Sequence, residues 1–137
     1  RTMSAAELVS NAVGGLRIRQ RIHPATKTFQ GIRIAINGEM EALAVTLPKA
    51  FRSLKPGGVL AVISFHSLEY RMVKRFMRKM AGRPVHRWDR SVLDDRKVCA
   101  EMLNTKIIIP SKEEVEANPR SRSARLRVLR KIEQPNL

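Results

Sequence analysis

Ser64, Phe65, His66 and Ser67 stand in a row where a short apolar run gives way to a charged amphipathic one. In open α/β sheets ligands bind at the carboxyl ends of strands, so hydroxyls and an imidazole at such an exit are the first candidates for chemistry. His66 is the candidate proton acceptor, with a structural hydrogen bond as the competing role for its ring. Ser64 and Ser67 offer hydrogen bonds to a polar substrate, and Ser67 is also placed to cap the helix that follows. A second polar set, His23, Lys27, Thr28, Gln30 and Arg33, is crowded into one stretch and suits a base edge or a phosphate. The same residues also read as a solvated helix face with an N-cap at Thr26 or Thr28. Arg120 and Arg122 present guanidinium forks ahead of a final alternating segment, a pairing suited to phosphate; a basic, solvated edge is the plainer reading. Trp88, among Arg83, His86, Arg87 and Arg90, suits either stacking on a base or packing against the parent domain.

The elements that must position these groups follow from spacing. Pro56-Gly57-Gly58 signals a turn. Val59 to Phe65 is a nearly unbroken apolar run rich in β-branched residues, which predicts a strand buried on both faces. Beyond it, Leu68, Met72 and Phe76 share one helical face, and Arg71, Lys74, Arg75 and Arg78 another. Upstream, Ser4-Ala5-Ala6-Glu7 has capping-box spacing ahead of a short helix that Gly14-Gly15 ends. Over residues 23–37 the alternation of Ile32, Ile34 and Ile36 suggests a strand, whereas Phe29, Ile32, Ile36 and Met40 keep helical spacing. The helix is preferred, with a break at Asn37-Gly38. Glu39 to Leu54 predicts an amphipathic helix burying Met40, Leu43, Leu47, Phe51 and Leu54, bent or restarted at Pro48. Residues 83–97 read as a loop or insertion. Ile107-Ile108-Ile109 predicts a second strand closed by Pro110, followed by a helical turn from Ser111 that Asn118-Pro119 ends. Ala124 to Ile132 predicts a last strand, with Leu126 and Val128 inward and Arg125 and Arg127 outward.

The 137 residues suffice for one domain with a real core, and 43% apolar content argues against disorder. The excess of 27 Lys and Arg over 12 Asp and Glu, a net charge of +15, points to a polyanionic partner, most simply nucleic acid. No stretch approaches the roughly 20 apolar residues of a membrane span, and no hydrophobic signal sequence is visible. Cys99 stands alone, which excludes a disulfide framework and fits a reducing compartment. His23, His66 and His86 lack the spacing of a metal motif. The chain opens on Arg1 within a helical pattern and has no Gly-rich nucleotide loop; the expectation is the C-terminal part of a longer protein.

Three stretches carry a resemblance: HPATKTFQGIRIAIN at 23–37, LKPGGVLAVISFHSLEYRMVKRFM at 54–77, and NPRSRSARLRVLRK at 118–131. In this order and at this spacing they resemble the C-terminal half of the MraW family, the ribosomal RNA small subunit methyltransferase H family. That family uses S-adenosylmethionine to methylate the exocyclic N4 amine of a cytidine in small-subunit ribosomal RNA. The resemblance implies an α/β fold: the second half of a Rossmann-like S-adenosylmethionine-dependent methyltransferase sheet plus the end of a helical insertion domain. Residues 1–30 would end that insertion on the substrate side. Residues 31–137 would form the C-terminal half of the methyltransferase domain, with 59–65, 106–110 and 124–132 as its last three strands.

The family's cofactor motifs lie upstream. S-adenosylmethionine is therefore expected to be bound mainly by the missing N-terminal half, in the same protein or another chain, with no cofactor-binding residue here. The implied partner is small-subunit ribosomal RNA or the ribosomal subunit, with no membrane. The implied place is the cytoplasm for a bacterial source, or a mitochondrion or chloroplast otherwise. One position departs from the resemblance: the family usually has Asp after SFHSLE, and Tyr70 stands there. That departure keeps open a catalytically inactive ribosome-assembly or RNA-binding protein that retains the fold.

Overall fold

The structure, a computed structural model, describes residues 2–12, 24–86, 89 and 97–132. It divides into two units, Arg1–Glu41 and Ala42–Leu137. In the first, α1 (Thr2–Ala12) packs along α2 (Pro24–Asn37). Helix α1 begins ahead of Ser4, not at the capping box expected there. Pro24 opens α2 at a position where a missing N–H costs nothing, so residues 23–37 follow the helical spacing and not the isoleucine alternation. The expected buried stripe needs correction, because Ile32 and Ile36 are 49% and 78% exposed while Ala25 is buried. A two-helix unit has one contact face, and α2 carries more large aliphatics than that face holds. Gly38, at φ +58°, breaks the helix in a conformation that favours glycine.

Helix α3 (Glu39–Ser53) follows, and its buried residues Leu47 and Phe51 belong to the second unit. It runs through Pro48 as one helix. Lys55-Pro56-Gly57-Gly58 then turns the chain, with Gly58 N donating to Lys55 O at 2.9 Å. Gly57 sits at φ +80°, as the third residue of a type II turn requires. A Cβ on Gly58 would lie 2.8 Å from Lys55 O, so both glycines of the PGG signal are required, for different reasons.

The sheet has strands β1 (Val59–Ser64), β2 (Ala100–Met102) and β3 (Arg125–Lys131) in the order β1-β3-β2, with β3 antiparallel to both neighbours. The strand expected at 106–110 is replaced by a single bridge, Ile108 to Leu126, and the regular pairing falls at Ala100–Met102. Asn104 explains the interruption. Its Oδ1 accepts from Val128 N at 2.7 Å and its Nδ2 donates to Lys106 O and Leu126 O at 2.7 and 3.3 Å. A side chain thus satisfies β3 where a strand backbone would have. Pro110, with no N–H, stops any further pairing.

Helix α4 (Ser67–Met80) lies on one face of this sheet. The core is Leu47 and Phe51 of α3, Val73 and Met77 of α4, Ala100, and Leu129, with Met77 and Leu129 fully buried. The buried stripe of α4 therefore centres on Val73 and Met77, not on Leu68, which is 45% exposed. Phe51 and Phe76 meet edge to face at 6.1 Å. Lys131 closes the carboxyl end of α3: its Nζ donates to Arg52 O at 3.1 Å and Leu54 O at 2.6 Å, and lies over the Phe51 ring.

Strand β1 alternates, with Leu60, Val62 and Ser64 turned to the core. Val59 and Ile63, on the other face, are 47% and 57% exposed, which corrects the expectation of burial on both faces. Among the described residues β1 has one partner strand, β3. An open apolar face beside an open edge favours association. The isolated 137-residue chain is expected to self-associate in a concentration-dependent way in sedimentation velocity, and Ile63→Lys to weaken that association. A monodisperse, cooperatively melting monomer at all concentrations would count against this view of β1.

Candidate functional site

The exit of β1 forms one wall of a cavity of about 380 Å3. Its polar lining comes from His66, Ser67, Arg122, Ser123 and Arg125. Its apolar lining comes from Phe65, Ile109, Pro110, Val115 and Ala124. Five segments supply these groups: the β1–α4 corner, the segment after the Ile108 bridge, α5 (Lys112–Ala117), the 3-10 helix Pro119–Ser123, and Ala124 with the first residue of β3.

The corner is built by a capping box. His66, at φ −135° and ψ 166°, is the N-cap of α4, a role expected of Ser67, which is instead the first helical residue. His66 Nδ1 accepts from Glu69 N at 3.3 Å. Glu69 Oε2 in turn accepts from Phe65 N at 2.8 Å and His66 N at 3.2 Å. His66 Nε2 lies 3.3 Å from Glu69 Oε1. An accepting Nδ1 places the ring proton on Nε2. The amino end of α4 therefore already carries an anion, and the imidazole nitrogen that accepts protons is engaged by the backbone. His66→Ala is expected to cost about 1 kcal/mol, with Asn restoring most of it, because Asn caps equally well. Urea unfolding of the two variants tests this; Asn no better than Ala would remove the cap.

Ser64 is 2% exposed, and its hydroxyl donates to Arg125 O at 3.3 Å, closing the β1–β3 pair beneath the cavity rather than lining it. The 3-10 helix is capped by Asn118, whose Oδ1 accepts from Arg120 N at 3.2 Å. Arg122 lines the cavity and Arg120 does not. Three residues make one 3-10 turn, so side chains two apart diverge. Ser111 caps α5, accepting from Glu114 N at 3.1 Å. The Glu113 carboxyl is held below its ordinary value by a backbone hydrogen bond at that helix start and then by the Ser111 hydroxyl.

Of the other sequence candidates, Lys27, Thr28, Gln30 and Arg33 lie on α2 in the first unit. Lys27 and Thr28 are exposed there, and Arg33 Nε is 2.9 Å from Glu39 Oε1. His23 and Trp88 fall outside the described residues.

Strand β3 holds what pattern reading missed. Leu129 faces the core, so by alternation Arg127 faces the same side and its outward placement is corrected; Arg125 shares that sheet face but stays exposed at the strand end. Arg127 is 5% exposed. Its Nη2 donates to Tyr70 Oη at 2.8 Å and its Nε has no hydrogen-bond partner. The guanidinium carbons of Arg125 and Arg127 lie 5.2 and 5.3 Å from the Tyr70 ring centroid.

Among the described residues two guanidiniums, two hydroxyls and no carboxylate line the cavity, beside the 55% exposed ring of Phe65 and the 65% exposed Ile109. That combination suits an anion attached to a flat apolar group, as in a nucleotide. It does not suit a sulfonium donor, which would meet two positive charges.

Residues 1–132 match the MraW methylase family. Similar curated proteins are each called ribosomal RNA small subunit methyltransferase H. The one from Caulobacter vibrioides is 42% identical over 98% of this chain and 44% of its own length. That from Thermomicrobium roseum is 45% identical over 96% and 40%. That from Coprothermobacter proteolyticus is 46% identical over 95% and 38%. The chain thus spans under half the length of these bacterial relatives. Among the described residues no helix is long and apolar enough to cross a membrane.

Proposed function

We propose, from the premise that this chain belongs to the MraW methylase family, that it is the RNA-holding part of a methyltransferase acting on small-subunit ribosomal RNA. The target is the N4 amine of a cytidine and the methyl donor is S-adenosylmethionine. The three strands then end a Rossmann-like sheet, residues 1–30 end a helical insertion on the substrate side, and residues 31–137 complete the methyltransferase domain. The observation that carries this reading is the cationic, partly aromatic cavity at the carboxyl end of β1, in a chain of net charge +15.

The lone pair of a cytosine amine is delocalised into its ring, so the amine is a weak nucleophile and must be oriented toward the methyl donor. A base inside folded RNA must first be extruded. The cavity contributes to that step by holding RNA: Arg122 and Arg125 meet phosphate, and Phe65 offers a stacking face. The donor is not placed in this cavity, whose charge opposes it, and belongs with the part of the relatives beyond the matched span. His23, Lys27, Thr28, Gln30 and Arg33 are assigned to the substrate side, and His66 to ordering the corner beside it.

The test is to incubate the intact protein with small ribosomal subunits and isotopically labelled S-adenosylmethionine, then digest the RNA to nucleosides. Label in N4-methylcytidine from small-subunit RNA is the expected outcome; label in another nucleoside would overturn the assignment. Tyr70, standing where the resemblance leads to an expected Asp, favours one rival, an RNA-binding assembly protein without transfer. That rival predicts subunit binding with no label in any nucleoside.

A further inference from the structure

We propose that Tyr70 is a positioning residue: its ring holds the Arg125 guanidinium at the cavity wall, where that group takes a phosphate of the RNA backbone. This rests on the reading of the cavity as an RNA site. Tyr70 is in the first turn of α4, tied to the corner by its N–H to His66 O at 3.0 Å. Arg125 and Arg127, two residues apart on β3, share one sheet face and both come to this ring.

The two cations differ in what surrounds them. Arg127 is buried, and its Nη2 donates to the Tyr70 hydroxyl. Arg125 is exposed and lines the cavity. The hydroxyl thus serves Arg127, while the ring face serves both cations. A purely structural tyrosine would be accounted for by Arg127 alone; the contact with an exposed arginine at a cavity wall is not. An arginine held on an aromatic face before binding loses less rotamer freedom when phosphate arrives.

Charge favours the same ligand. Among the described residues no carboxylate pairs with the Arg127 guanidinium; a buried cation of that kind is costly, and its field is weakly screened. The buried Arg127 and the exposed Arg125 repel each other at one ring. An anion at Arg125 relieves that repulsion, so the absence of an acid at position 70 favours phosphate at the wall rather than opposing it.

The experiment measures affinity of the intact protein for a fluorescein-labelled small-subunit ribosomal RNA transcript across a salt series. The variants are Arg125→Gln, Tyr70→Phe, Tyr70→Leu and the double variant Tyr70→Leu/Arg125→Gln. Arg125→Gln is expected to weaken binding and flatten the slope of log affinity against log salt by roughly 0.7 to 0.9, one phosphate contact. Tyr70→Leu should reproduce both changes, and the double variant should add little to either single one. Tyr70→Phe should keep wild-type affinity and slope, although its melting temperature falls because Arg127 loses its acceptor. Should Tyr70→Leu fail to fold by circular dichroism, Tyr70→Met fills the space without an aromatic face and carries the same expectation. A wild-type slope in the non-aromatic variant, with a flattened one in Arg125→Gln, would overturn the positioning role and leave the RNA site standing. An unchanged slope in Arg125→Gln would remove the RNA site at this wall, and the role of Tyr70 with it.

Discussion

Leu129→Ala is expected to cost about 3 to 5 kcal/mol, the upper part of the range for a fully enclosed leucine. Leu129 has no exposed surface and sits on the middle strand, opposite Leu60 of β1 and Met102 of β2. Met77, equally enclosed, belongs to the same cluster. Removing the side chain leaves a cavity that neither neighbouring strand can close, because both are fixed to β3 by backbone pairing. Domains are stable by only about 5 to 15 kcal/mol, so the loss is a large share of the total. Val128→Ala, one residue away on the other face and half-buried, should cost much less. Urea denaturation of the intact protein, read as a shift in midpoint, compares the two. A smaller effect at Leu129 than at Val128 would mean that the core lies on the opposite side of the sheet.

That parity is where the sequence was least informative. RLRVLRK alternates, but both of its phases contain leucine and both contain arginine. Composition favoured burying Leu126 and Val128 and exposing the arginines. The structure puts Leu129 in the core and thereby carries Arg127 in with it, since the period of a strand is two. Tyr70 makes that burial tolerable, from a position 57 residues away in sequence. No local pattern announces such a partner. The strand beyond the loop was misplaced for a related reason: Ile107-Ile108-Ile109 is the better β sequence, yet Asn104 meets β3 with its side chain and leaves regular pairing to Ala100–Met102.

Other features were legible because their causes are local. The PGG turn follows from one positive φ and one crowded Cβ. Strand β1 was placed by its β-branched run, and α4 by the polar residues at its start. The capping role of His66 was missed because serine is the commoner cap, although Glu69 three residues on was the signal for the box. The cavity itself joins residues from 65 to 125, so only its two ends, SFHS and NPRSR, could be picked out as candidates, and Ile109, Pro110 and Val115 entered through the fold.

Arg122→Gln is expected to reduce affinity for small-subunit RNA by about ten- to a hundredfold, the loss of a charge-assisted contact worth about 1.5 to 3 kcal/mol. Arg120→Gln is expected to do much less. The two arginines look equivalent in sequence, but the 3-10 helix separates them, and only Arg122 reaches the cavity lining. Because phosphate contacts position RNA without reading it, preference among RNA sequences should hardly change in either variant. The slope of log affinity against log salt should flatten by roughly 0.7 to 0.9 for Arg122→Gln, and by scarcely more for the pair together. Fluorescence anisotropy over a salt series with the intact protein supplies both quantities. Equal effects at Arg120 and Arg122 would move the phosphate site out of the cavity and onto the outer surface of the turn. An unchanged slope in the double variant would mean that these guanidiniums hold no phosphate and only keep a basic surface soluble.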